Sequence, residues 1–485
     1  MEGVPIFRLF RGMLVLAIVT VLLYGAILFQ RHSKDRMVVQ YTSSNVHRRS
    51  EFIQNTSTNA KFVPPSCTRR TKLALAKVHK TGGTTLMQIL HRFAYLRNLS
   101  LVIPIQTNRG SINAFYPGGL KKEKCLPPQG DHYDMFTYHF VYKRDVLTNL
   151  LGNGTFFVTI LREPLSHLKS QFHFYDLAKR YKIKDTKYPL LRFLENPGAY
   201  DKKRPGYLGT RNPMSADLGM GLNVLKQLTE QAMKWQPGQP TNKTAMSIIE
   251  NLILNIDQDF DLVMITEYFD EGLVMLKRLM CLDMQDILYY KTLAFLYKGK
   301  DQKVPTSSVE NHKRWDIVDY HLYDYFNKSF WRRVDQIGKD FTDEATHFKE
   351  LNLKVQQHCS VNDPRNNGAL VIPESRWNPP FIVTHELCTL MKLGQMCYMT
   401  LLRDRNIRYN SKKGPESPSK TEVKEGVLYS KRYCALCDEI SRDCTLNEYI
   451  AHLFFEKHIS HFHTSFSPHK RTGRGQREVE FNDYS

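Results

Sequence analysis

Two short stretches of the chain combine cations with turn residues in a way that suits an anion. The first is Lys77-Val78-His79-Lys80-Thr81-Gly82-Gly83-Thr84-Thr85-Leu86. An apolar run ends there, a glycine pair permits a tight turn, and threonine hydroxyls stand where a helix can begin. A turn of this kind offers backbone N–H groups and a helix N-terminus to a phosphate, and Lys80 adds a mobile positive charge. The alternative is an ordinary strand–turn–helix with a threonine cap. The second stretch is Thr159-Ile160-Leu161-Arg162-Glu163-Pro164, continuing to Ser170-Gln171-Phe172. Arg162 closes an apolar run, Pro164 suits the first turn of a helix, and Ser170 follows about two helical turns later. An arginine fork and a serine hydroxyl together can grip a terminal phosphate. Taken alone, a salt bridge and a helix serine would account for both. Arg162 follows Lys80 by 82 residues, a spacing compatible with one sheet carrying both.

Histidine is the side chain whose ordinary pKa, about 6.5, lets it take a proton near neutral pH. Two stand near this chemistry. His79 adjoins Lys80, and His139 lies in Phe136-Thr137-Tyr138-His139-Phe140; either could equally be a hydrogen-bonded structural histidine. Glu163 is a weaker base candidate and suits a helix start. Arg211, in Thr210-Arg211-Asn212-Pro213, could meet a cofactor phosphate, an acceptor, or a surface carboxylate.

These residues need strands to end beside them and helices to follow. Leu73 to Val78, Phe156 to Leu161 and Leu262 to Thr266 are short apolar runs, as buried strands are. Leu86, Ile89, Leu90 and Phe93 repeat at helical spacing within Thr84 to Arg97. Leu165–Leu177 and Phe269–Met280 are also helical in pattern. Strands alternating with helices predict an α/β fold on a parallel, doubly wound sheet. The aromatic-rich stretch Lys313 to Phe341 predicts helices packed on that body. The first loop is not a Walker A loop, which places its lysine after the second glycine.

The chain has 485 residues, 68 Lys and Arg against 48 Asp and Glu, and a net charge of +20. Its 42% apolar and 24% charged content excludes collagen-like, coiled-coil and wholly disordered proteins. The charge suits an anionic partner: nucleotide, membrane surface, acidic glycan or nucleic acid. Gly12 to Phe29 contains no charge and is flanked by Arg8, Arg11, Arg31 and Lys34. It predicts an uncleaved membrane anchor over 12–30, with a tail over 1–11 and a polar stem over 31–66. Sequons at Asn55, Asn98, Asn153, Asn242 and Asn327 are compatible with a lumenal body. Cys67 and Cys125 could pair there, although spacing cannot give connectivity.

Several longer segments carry a more specific signal. They include Thr266-Glu267-Tyr268-Phe269-Asp270-Glu271 with Leu273 and Leu276, Leu279-Met280-Cys281, Asp286-Ile287-Leu288-Tyr289, and Leu322-Tyr323 with Tyr325-Phe326-Asn327 and Phe330-Trp331. With the two phosphate stretches, they make residues 67–402 resemble the galactose 3-O-sulfotransferases. Gly82-Gly83-Thr84 departs from that family's usual Ala-Ser-Ser and is more like the loop of heparan sulfate 6-O-sulfotransferases. The resemblance implies a P-loop-like sulfotransferase fold and 3′-phosphoadenosine 5′-phosphosulfate (PAPS) as sulfuryl donor, with no metal required. Lys80, Thr81, Gly82, Gly83, Thr84 and Thr85 would then hold the 5′-phosphosulfate, and Arg162 and Ser170 the 3′-phosphate. Lys80 would offset charge on the leaving oxygen. His139 is the favoured base, since the family has a histidine at a similar place, with His79 shaping the loop or sharing the proton. The resemblance further implies a single-pass type II protein of the Golgi membrane, a galactose-terminated glycolipid or glycan as acceptor rather than nucleic acid, and allows a homodimer. Competing readings are a sulfotransferase for another glycan position, a P-loop kinase or NTPase, and a non-catalytic glycan-binding relative.

Residues 403–485 form an extension without a recognised counterpart. Cys434, Cys437 and Cys444 precede His452, His458, His461, His463 and His469. Zinc would accept such ligands, but the spacing fits no familiar finger, and a lumenal setting favours disulfides or free thiols.

Overall fold

The computed structural model describes residues 67–105, 114–184, 187–201, 209–235, 242–291, 303–360 and 368–411. The expected anchor, the stem and the C-terminal cysteines and histidines lie outside these residues. No helix among the described residues is long and apolar enough to cross a membrane.

Four parallel strands form the central sheet: β1 (Leu73–Ala76), β2 (Met135–Phe136), β3 (Phe156–Leu161) and β4 (Leu262–Ile265). Their spatial order is β2-β1-β3-β4. Leu73 to Ala76 pair in register with Phe156 to Thr159, and Val158 to Leu161 with Leu262 to Ile265. All residues of β1, β3 and β4 are buried, which is why they appear as continuous apolar runs rather than alternating ones. The one hydroxyl in β3, Thr159, is satisfied by donating to Ala76 O at 2.8 Å.

Helices cover the sheet as the alternation predicts. Between β1 and β2 runs α1 (Gly83–Leu96), and between β2 and β3 runs α2 (Arg144–Leu151). After β3 come α3 (Pro164–Phe174), α4 (Pro213–Asp217), α5 (Leu222–Lys234) and α6 (Lys243–Asp259), with three shorter helical segments before α4. Glu163 caps α3, accepting from Leu165 N at 3.0 Å and Ser166 N at 2.7 Å, with Pro164 in the first turn. This is the helix-start role open to Glu163. After β4 come α7 (Phe269–Met280), α8 (Thr306–Trp315), α9 (Ile317–Ile337) and α10 (Lys339–Cys359). Leu322, Phe326, Phe330 and Val334 recur at helical spacing on α9 and are buried in the core.

The chain returns through a short antiparallel pair, β5 (Leu370–Ile372) and β6 (Phe381–Val383), to α11 (His385–Lys392) and α12 (Gln395–Ser411). Helix α12 passes straight through the expected boundary at residue 403. Arg403 donates to Ile105 O at 2.7 Å and to Pro104 O, and Arg405 donates to Tyr95 O at 3.0 Å and Leu99 O at 2.6 Å. Arg405 thereby satisfies carbonyls at and just after the end of α1, and Arg403 those of the segment that follows. The folded body includes residues to Ser411.

The cysteine pairing differs from the Cys67–Cys125 option. Cys67 is bonded to Cys281, and Cys359 to Cys388. Cys125 is a buried free thiol whose Sγ donates to Lys121 O. Cys281 ends α7 in the left-handed conformation, φ 54°, 214 residues from its partner. Spacing along the chain could not reveal such a contact.

Candidate active site

The strand order creates a crevice. From β1 the chain moves outward to β2 on one side, then crosses back to β3 on the other. The carboxyl ends of β1 and β3 therefore flank a topological switch point, where open α/β sheets bind ligands. Lys77–Gly83 leaves β1 at that end, and Arg162 leaves β3. Sheet order thus brings together the two stretches selected on residue type.

The turn is tight. Lys80 takes φ 60° and Gly82 φ 86°. Gly82 is the N-cap of α1, with no side-chain cap on the helix, so its first amides are left to other acceptors. Thr84 and Thr85 are half-buried in that first turn, and neither caps it. Thr81 is buried and donates to Val78 O at 3.1 Å. Thr266 Oγ1 lies 2.5 Å from Thr81 O and 2.8 Å from Leu161 O, tying the loop to the ends of β3 and β4. Arg162 donates from Nη1 to Lys80 O at 3.2 Å, and its Nε is buried without a partner. Ser170 stands half-buried on α3. The cradle of uncapped amides, Lys80 and a partly unsatisfied guanidinium fits a phosphate group. Arg211 is used elsewhere: it pairs with Asp201 at 3.0 Å and lies over the Trp315 ring.

The two histidines meet face to face, their rings 3.8 Å apart and 7° from parallel, but their partners differ. His139 is engaged at both nitrogens by one residue: Nδ1 donates to Lys77 O at 2.8 Å, and Nε2 faces Lys77 Nζ at 3.2 Å. Burial and then the Lys77 charge hold its pKa well below the ordinary histidine range. His79 is oriented by a carboxylate. Its Nδ1 and its backbone N both lie 2.8 Å from Asp217 Oδ2, and Tyr116 Oη donates to Asp217 Oδ1 at 2.9 Å. The carboxylate assigns the proton to Nδ1, which leaves Nε2 as the basic nitrogen. That Nε2 has no hydrogen-bond partner. His167 Nε2 donates to His79 O at 2.7 Å and braces the loop from α3. Burial lowers the His167 pKa to about 4, so it acts as a neutral donor.

Asp217 is itself fixed by a reciprocal network. Asp319 accepts from Met214 N and Ser215 N, each at 2.8 Å, and so caps α4. Asn212 Oδ1 in turn accepts from Val318 N at 2.8 Å at the start of α9. Beyond α4, Gly219 has φ 87°, and a Cβ there would lie 2.4 Å from Tyr142 O, so the chain can turn away only with glycine.

The site concentrates positive charge. Lys77 is fully enclosed, and burial followed by the Lys80 charge lowers its pKa to about 7. Burial and then Arg162 lower Lys80 to about 8. Cations in this state gain from an anion brought among them. Lys77 and Asp217 escaped the sequence reading. Lys77 looked like the end of a strand. Asp217 lies 138 residues from His79 and joins it only through tertiary pairing.

The whole-chain comparison decides which anion chemistry this is. The family model for galactose-3-O-sulfotransferase matches residues 6–382. The chain belongs to the galactose-3-O-sulfotransferase family. It is 29% identical to galactose-3-O-sulfotransferase 3 of Mus musculus over 375 residues, 73% of this chain and 82% of the relative. It is also 29% identical to galactosylceramide sulfotransferase of Bos taurus over 329 residues, 66% of this chain and 71% of that protein. With galactose-3-O-sulfotransferase 2 of Sus scrofa the identity is 29% over 313 residues. As a galactose-3-O-sulfotransferase family member the chain is a sulfotransferase, and the kinase and non-catalytic readings fall away. PAPS is the donor that sulfotransferase membership implies. Among the described residues no group of three or more His, Cys, Asp or Glu side chains is gathered as a metal site.

Proposed function

We propose that the protein transfers a sulfuryl group from PAPS to the 3-hydroxyl of a terminal galactose on a glycolipid or glycan, using His79 as the base. The observation that carries the base assignment is the Asp217–His79 pair, which holds Nδ1–H and leaves Nε2 without a partner. PAPS supplies the activated sulfuryl group. The amides of Gly83 and Thr84 and the Lys80 ammonium hold its phosphosulfate, while Arg162 and Ser170 hold its 3′-phosphate. His79 Nε2 takes the proton as the acceptor oxygen forms its bond to sulfur, and Asp217 stabilises the resulting imidazolium. Lys80 offsets the charge as the sulfur–oxygen bond to the phosphate breaks with its electron pair. His139, held at both nitrogens by Lys77, supports the His79 ring by stacking on it.

We further propose the Golgi lumen as its place of work, with residues 12–30 as a single-pass type II anchor. Two disulfides suit an oxidising compartment. The test is sulfate transfer from labelled PAPS by the full chain in detergent. Acceptors are galactosylceramide, lactosylceramide, N-acetyllactosamine, a core O-glycan and desulfated heparan, with the product linkage mapped. Label at the galactose 3-hydroxyl is the expected result; label on heparan alone would overturn the acceptor class.

A further inference from the structure

Phe174 is the last residue of α3 and is 57% exposed, with its ring against the Lys80 ammonium. Its position relative to the reaction can be bounded. The Lys80 ammonium must come within about 3 Å of the leaving oxygen, and the acceptor hydroxyl within about 3–3.5 Å of the sulfur on the opposite side. The acceptor oxygen therefore lies within about 8 Å of Lys80 Nζ. The Phe174 ring centroid is 3.5 Å from that nitrogen, well inside this radius. The ring is exposed beside Lys80, and it stands on the helix that also carries Ser170.

We infer that Phe174 is the platform on which the acceptor galactose stacks, making it a specificity-determining residue for the reaction proposed above, on which this inference rests. The axial 4-hydroxyl of a β-galactoside leaves the hydrogens of C3, C4 and C5 on one face. Those polarised C–H groups match the negative face of an aromatic ring, and stacking brings the 3-hydroxyl to the edge of the platform. A β-glucoside, with an equatorial 4-hydroxyl, offers a less continuous apolar face. When the Lys80 ammonium turns to the leaving oxygen, the ring it covered becomes available to the sugar.

The test compares the full chain with Phe174→Ala and Phe174→Trp. It measures kcat and KM for N-acetyllactosamine and, separately, the Kd of adenosine 3′,5′-bisphosphate. The alanine variant should raise the acceptor KM about tenfold, the value of one aromatic stacking contact, with kcat and the bisphosphate Kd unchanged within twofold. Tryptophan should restore the KM. A bisphosphate Kd that rises in parallel would overturn the proposal by assigning the ring to the nucleotide. A fall in kcat at constant KM would overturn it by reducing the ring to a rest for Lys80. An unaltered acceptor KM in an active variant would overturn the platform alone, whereas no galactoside transfer by the unsubstituted chain would overturn the reaction assignment and the platform with it.

Discussion

Asp217→Asn is the sharpest test of the proton path. The substitution keeps the shape of a side chain that is only 4% exposed, but it replaces two equivalent oxygens with one carbonyl and one NH2. At present Oδ2 receives both the Nδ1 and the backbone N of His79 at 2.8 Å, and Oδ1 receives Tyr116 at 2.9 Å. One amide oxygen cannot serve both sides. A hydrogen bond to a charged group contributes about 1.5–3 kcal/mol, so losing the one that steadies the imidazolium slows turnover by about 10- to 150-fold. If the NH2 faces Nδ1, the ring must present a lone pair there. The proton then moves to Nε2 and the base is blocked, which in the analogous protease triad costs about 10⁴-fold. The expected fall in kcat is therefore about 10- to 10⁴-fold, with adenosine 3′,5′-bisphosphate binding unchanged. The assay is single-turnover transfer from labelled PAPS to N-acetyllactosamine, with calorimetric nucleotide binding and a thermal melt on the same preparation. A folded variant that binds nucleotide and keeps kcat within threefold of the parent would refute His79 as base. His139→Asn would then be the variant to carry the loss.

Two further predictions follow from charge and covalent structure. Lys80, lowered to about 8 by burial and Arg162, is partly deprotonated at pH 8, as is Lys77, lowered to about 7; an anion in the cradle restores the ammonium charge, so bisphosphate binding should take up protons there and lose that uptake as pH falls well below 7. Calorimetry in buffers of different ionisation enthalpy reads this directly, and buffer-independent heats at pH 8 would contradict it. The Cys67–Cys281 bond closes 214 residues and Cys359–Cys388 closes 29. Chain entropy gives the first about 5 kcal/mol of stabilisation and the second about 3.5, so paired Cys→Ala variants should lose stability in that order in denaturant titrations; equal losses would show that loop length does not govern the effect.

What the sequence disclosed about the fold follows from burial. Strands enclosed on both faces must be apolar throughout, so β1, β3 and β4 stood out as runs, and Phe269–Met280 matched its helix at both ends. β2 has only two residues and gives way to Thr137, which is bonded to His91, and His139, which is bonded to Lys77, so its apolar signal is short. The helical pattern after Leu165 ends at Phe174 rather than Leu177 because Asp176 takes φ 50°. A short polar side chain tolerates that conformation, but nothing in the local pattern demands it. The expected boundary at residue 403 marked a change in composition, whereas the helix there is held by Arg405 reaching carbonyls around the end of α1 and Arg403 reaching Pro104 and Ile105.

The site was legible wherever chemistry follows from local sequence. A lysine and a glycine pair after a strand, or an arginine before a helix-starting proline, suggest an anion site because strand, turn and helix N-terminus are contiguous. The choice between two histidines is of another kind. Both ring types are the same, and both lie beside strands. Fitness as a base depends on what each ring's two nitrogens touch. A carbonyl at Nδ1 and an ammonium at Nε2 engage both nitrogens of His139 and make protonation unfavourable. A carboxylate at Nδ1 orients His79 and leaves its buried Nε2 without a partner, the arrangement on which the proposed base role rests. Those partners come from positions 77 and 217, one hidden as the end of an apolar strand and the other placed by a capping network between α4 and α9. The residue type that does the chemistry is written in the local sequence, while the residue that makes it competent is supplied by the topology.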